Sequence, residues 1–88
     1  MTIHTGQLLV NGAPQAIDGA STNPIFLSIS NDDNTSDVYL GNKDVTISTG
    51  YTLNKLENMT FTLNPLETLY AVTHPNSTAT ISWIRQDM

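Results

Sequence analysis

Ile25-Phe26-Leu27-Ser28-Ile29-Ser30 sets the class of fold. Successive side chains of an extended chain point to opposite sides, so Ile25, Leu27 and Ile29 form an apolar face and Phe26, Ser28 and Ser30 the other. The polar run Asn31-Asp32-Asp33-Asn34-Thr35-Ser36 follows as a turn. Asp37-Val38-Tyr39-Leu40-Gly41 then returns with Val38 and Leu40 on one side and Tyr39 on the other. This pattern predicts an antiparallel hairpin with a long loop.

The same alternation extends in both directions. Residues 7–10 and 15–17 flank Asn11-Gly12-Ala13-Pro14, where Asn-Gly favours positive φ and predicts a second hairpin, with Pro14 at the entry of an edge strand. Residues 18–24 read as a linker. Val45-Thr46-Ile47 and Tyr51-Thr52-Leu53 read as short extended pieces around a turn at Gly50. Met59, Phe61 and Leu63 alternate inward, and Asn64-Pro65-Leu66-Glu67 forms a turn with Pro65 at its first central position. Residues 68–73 and 79–85 read as a final strand pair, with Ile81 and Trp83 opposite Ser82 and Ile84.

Short alternating runs punctuated this regularly predict an all-β chain, a small single-domain antiparallel β-sandwich of jelly-roll type with about seven or eight short strands. The expected organisation is a flexible arm over residues 1–6, the sandwich over 7–86 and a loose end at 87–88.

At 88 residues, a domain buries only about 60–65% of the surface its unfolded chain exposes. A single core of this kind rarely supplies more than about 3–5 kcal/mol in designed proteins just below this length. Cysteine is absent, so disulfides cannot supplement that core, and self-association becomes the expected supplement. Thirteen Thr, seven Ser and nine Asn make up a third of the chain, a composition suited to strands and turns and adverse to long helices. A net charge of −5 opposes binding to phosphate backbones and anionic membranes. No apolar run approaches the roughly 20 residues of a membrane-spanning helix, and no secretory leader is expected at residues 1–6.

Catalysis needs a nucleophile, a base and an orienting group together, and the chain offers no Cys and only His4 and His74. No enzyme and no cofactor are expected. Asp32, Asp33, Asn34 and Asp37 cluster as oxygen ligands for calcium would. They lack the loop glycine and the terminal glutamate of an EF-hand, and a plain Asp/Asn turn accounts for them. Asn34, Asn58 and Asn76 match the glycosylation acceptor, as chance readily produces in such a composition. The rings Tyr39, Tyr51, Tyr70 and Trp83 fit core packing, a protein interface or a glycan-stacking platform. With Leu8 and Val10 they form the candidate interface set.

Asp37-Val38-Tyr39-Leu40-Gly41, Asp44-Val45-Thr46, Gly50-Tyr51-Thr52-Leu53, Glu57 and Leu69-Tyr70-Ala71-Val72 together resemble a group of small structural proteins of tailed bacteriophages. The likeness spans residues 25–85 as a string of short spaced matches. It implies a minor head, decoration (cement) or head-fibre protein on the virion's capsid surface, bound non-covalently to the major capsid protein and stabilising the shell. A homo-oligomer is implied, with a trimer favoured by the three-fold positions of a shell. The alternatives are a carbohydrate- or receptor-binding module of a tail or fibre, and a tail or connector component. Where that family tends to place Gly before the acid, this chain has Leu56 before Glu57, so the turn is expected to give way to a helical or extended segment.

Overall fold

The computed structural model describes residues 3–17 and 24–87. They form eight strands: β1 (Ile3–Val10), β2 (Gln15–Ala16), β3 (Ile25–Asn31), β4 (Val38–Gly41), β5 (Tyr51–Leu53), β6 (Asn58–Leu63), β7 (Tyr70–Val72) and β8 (Ala79–Asp87). Two antiparallel four-stranded sheets result, ordered β1-β8-β3-β6 and β2-β7-β4-β5. This is the strand order of a jelly roll, and the fold class expected from the sequence holds.

The alternation that drives each strand is visible in its burial. Ile25, Leu27 and Ile29 of β3 are buried, as are Ala79 and Ile81 of β8 and Val10 of β1, while Leu8, Met59, Phe61 and Trp83 pack partly buried beside them. The second sheet answers with Val38, Leu40, Leu53 and Ala71, and Ile17 closes the core beyond β2. Each large aliphatic side chain removed from water contributes about 1.5–3 kcal/mol before entropy is set against it.

The expected pairings are corrected in three places, all for one reason: the chain changes sheet between most consecutive strands. β1 and β2 belong to different sheets, as do β3 and β4, and β7 and β8; among the successive pairs only β4 and β5 lie side by side. Asn11-Gly12 therefore makes a corner and no hairpin. No glycine among the described residues has positive φ; instead Asn11 Oδ1 accepts the Ala13 N–H at 2.9 Å and the Asn11 carbonyl accepts the Thr73 N–H. This lets Val10 and Ile17 reach the core from opposite layers.

The N-terminal arm is also corrected. β1 begins at Ile3 and pairs with β8 along its length, Ile3 opposite Gln86 and Gly6 opposite Trp83, so residues 3–6 are sheet. Its polar Thr5 and Gln7 belong to the outward side of an edge strand. Asp87 ends β8 opposite Ile25; residues 1–2 and 88, and the linker expected at 18–24 except Pro24, lie outside the described residues. Val45-Thr46-Ile47 is not a strand but part of a turn-rich segment.

The turn at Leu56 is kept. Leu56 has φ 60° and the Glu57 N–H donates to the Asn54 carbonyl at 3.0 Å, the φ signs of a type II turn. Asn64-Pro65-Leu66-Glu67 repeats it, with Leu66 at φ 65°, and His74-Pro75-Asn76-Ser77 does so with Asn76 at φ 67°. In the first two, the glutamate carboxylate accepts the N–H of the leading asparagine, at 3.1 Å for Asn54 and 3.0 Å for Asn64.

Candidate functional site: the bare face of one sheet

The outer faces of the two sheets differ. On β2-β7-β4-β5 the segment from 42 to 50 folds back over the strands. A Cβ placed on Gly41 would lie 2.8 Å from Val45 Cγ2, and one on Gly50 would lie 2.6 Å from Tyr39 Cβ, so the two glycines admit this close approach. Val45 is buried, and so is Val72, although its pairing with Tyr39 places it on the outer side. Asn42 holds the turn by accepting the Val45 N–H on its carbonyl and the Asp44 N–H on Oδ1.

Nothing among the described residues covers the outer face of β1-β8-β3-β6 in the same way. Strand pairing sets Thr5, Ile84, Ser28 and Thr60 side by side across it, and Gln7, Ser82, Ser30 and Asn58 in the next outward row. Between these rows runs a groove of about 560 Å³ lined by residues of all four strands. Its hydroxyls are tethered: Ser28 Oγ and Thr60 Oγ1 are 3.0 Å apart, and Ser30 and Ser82 both donate to Asp32 at the rim.

Beside the groove the face turns apolar. Ile3 and Phe26 both stand opposite Gln86, with Ile84 on the diagonal, and Leu9 lies at the far end of β1. These four are exposed by 60%, 43%, 44% and 58% in the order Ile3, Phe26, Ile84, Leu9. By strand parity, the side chains this face presents on its four strands include no Asp, Glu, Lys or Arg. The described charges lie in connecting segments, apart from Arg85 and Asp87, which sit on the inward parity of β8 with Arg85 Nε 3.0 Å from Asp87 Oδ1.

The structure does not bring the sequence-derived interface set together. Val10 is wholly buried, so it is core and not contact surface; Leu8 and Trp83 pack inward against the same core. Tyr39 and Tyr70 face outward on the other sheet, as their register implies. The Tyr39 hydroxyl meets His74 Nε2 at 3.1 Å, and the two rings meet edge to face at 5.5 Å. Tyr51 is exposed on the edge strand β5. With its rings on three different surfaces, the chain builds no common stacking platform. The residues the sequence reading missed as a site, Phe26 and Ile84, had a signal: each is a large apolar side chain out of phase with the core alternation.

The Asp32–Asp37 loop spends its carboxylates separately. Asp33 Oδ1 accepts from the Thr35 N–H, the Thr35 hydroxyl and the Ser36 N–H, and the Thr35 hydroxyl above all holds its pKa below the usual 3.8. Asp37 Oδ1 accepts the Lys55 N–H. Among the described residues no three His, Cys, Asp or Glu converge as a metal site.

No family model matches the chain, and no curated protein matches it. A solved structure does: a chain from Bacillus endospore appendages, described as a novel family of disulfide-linked pili, superposes with a TM-score of 0.55 over 99% of this chain and 89% of its own, at 16% identity. At that identity the likeness establishes a shared fold.

Proposed function

We propose that this chain is a non-catalytic structural subunit, held without covalent links in a larger protein assembly on the outside of a virion or appendage. The observation that carries the reading is the outer face of β1-β8-β3-β6, whose strands present no charged side chain and where Ile3, Phe26, Ile84 and Leu9 stand in solvent. Neighbouring exposed apolar side chains, as Ile3, Phe26 and Ile84 are across Gln86, mark a contact surface. The fold likeness to an appendage subunit supports the same class of role. These 88 residues contain no cysteine, so no disulfide forms through them and the contacts are packing contacts.

Within that class the finer reading is a capsid decoration protein clamping the major capsid protein, supported by the spaced matches to phage head proteins over residues 25–85. The second reading, an appendage subunit, is favoured by the solved structure it superposes on. Incubating the purified chain with undecorated phage shells, and separately concentrating it for electron microscopy, tests both. Co-sedimentation with shells supports decoration, and filaments support the appendage reading. A chain that neither binds shells nor assembles overturns the proposal.

A further inference from the structure

We infer that the outer face of β1-β8-β3-β6 is the contact between two copies of this chain, packed sheet on sheet about a two-fold axis. The inference rests on the proposed structural role and names its first partner.

Charge chooses the occupant. Each copy carries a net charge of −5, so two copies repel wherever their acidic connecting segments approach within the roughly 8 Å Debye length. The strands of the face bearing Phe26 and Ile84 present hydroxyls, amides, aliphatic groups and the Phe26 ring, and the Asp32 carboxylate at the rim is held by the Ser30 and Ser82 hydroxyls. Here identical acidic chains meet through strands that present no charged side chain, with the Asp32 carboxylates kept to the rim by Ser30 and Ser82. The opposite sheet offers no equivalent, since its own segment from 42 to 50 is folded over it.

Area agrees. The Cα envelope measures 37 × 23 × 16 Å, and sheets stack about 10 Å apart, so the short axis is the stacking direction and the sheet faces are the broad ones. An envelope of 37 × 23 Å sets an upper bound on that face close to the roughly 800 Å² per partner of a stable interface, so a dimer would have to use most of it. An isologous contact also uses the same patch on both subunits, which suits a face that the described residues leave uncovered.

The test is the solution mass of the full chain by light scattering across a concentration series, with Phe26→Asp and Ile84→Asp against the controls Tyr51→Asp and Leu66→Asp. Two chain masses are expected for the wild type and both controls, falling twofold to one chain mass in each face variant with its far-ultraviolet spectrum retained. A unique thiol introduced as Thr5→Cys, close in size to the residue it replaces on the same face, gives a second reading. Its alkylation should slow several-fold as concentration rises, while Tyr51→Cys stays equally reactive. A wild type that is one chain mass throughout overturns the inference, as does an oligomer indifferent to both face variants. Either result leaves the structural role standing if the chain still binds shells or assembles. A dimer lost in the face variants that neither binds shells nor assembles supports the contact and removes the role.

Discussion

Gly6 lies directly beneath the indole of Trp83: a Cβ on Gly6 would come within 2.6 Å of Trp83 Cζ2 and 2.9 Å of Cε2. The two residues are register partners in β1 and β8, and the missing side chain lets the ring lie flat along the edge of the core. Gly6→Ala must therefore push the ring outward or bend the strand, at a cost of about 1–3 kcal/mol as in other overpacked cores. Thermal melts of the variant, read beside its tryptophan emission, should show a lower midpoint and a red shift. An unchanged emission maximum would mean the ring does not lie where the strand register puts it.

Leu56 and Leu66 occupy left-handed backbone at φ 60° and 65° while exposing 66% and 70% of their surface. An L-residue there is disfavoured by roughly 1–2 kcal/mol, which glycine avoids at some loss of unfolded-chain freedom. Leu56→Gly and Leu66→Gly should each stabilise the fold by about 0.5–1 kcal/mol. The turns lie at opposite ends of β6, so the effects should add. Denaturant titration of both singles and the double checks the sign and the sum.

Those turns also show what a sequence yields and what it withholds. Pro65 announced its turn, because a fixed φ at the first central position is local chemistry. The Leu56 turn was expected to dissolve for want of glycine, yet the hydrogen bond to Asn54 and the Glu57 carboxylate hold it closed. Alternation marked Ile25, Leu27 and Ile29 as one buried face and set Ile84 opposite Trp83, and both hold. Alternation says which side a residue faces and nothing about which strand lies beside it. Three expected hairpins were for that reason assigned to strands that part into different sheets. The bare face stayed hidden likewise: whether Phe26 is covered depends on a segment such as 42 to 50 folding over the other sheet.

Asn31 ties the two sheets together from inside. It is wholly buried at the end of β3. Its Nδ2 donates to the carbonyls of Ser36 at 3.0 Å and Leu53 at 3.3 Å, while Oδ1 accepts the Asp33 N–H. Asn31→Leu keeps the branched shape but adds bulk and removes the donor to the Leu53 and Ser36 carbonyls, a loss of about 2–4 kcal/mol. Asn31→Asp should be worse at neutral pH, because it aims a carboxylate at carbonyl oxygens. Equilibrium unfolding of the two variants side by side measures the difference, and parity between them would place the cost in packing alone.

Asp33 gives the chain an acid dependence of known sign. Hydrogen bonds from the Thr35 hydroxyl and N–H, and then from the Ser36 N–H, favour the carboxylate and lower its pKa in the folded state from 3.8. The unfolded state then binds the proton more readily, so the stabilisation is complete above about pH 4 and is lost as pH falls through the folded value. Asp33→Asn should lower the melting midpoint at pH 7 through weaker acceptance at the Thr35 and Ser36 donors. The gap to the wild type should hold constant down to roughly pH 5 and close progressively below pH 4. Melts from pH 7 to 2 in constant ionic strength decide this. A gap that persisted unchanged into strong acid would assign the stabilisation to the shape of the turn, with the charge of Asp33 contributing nothing.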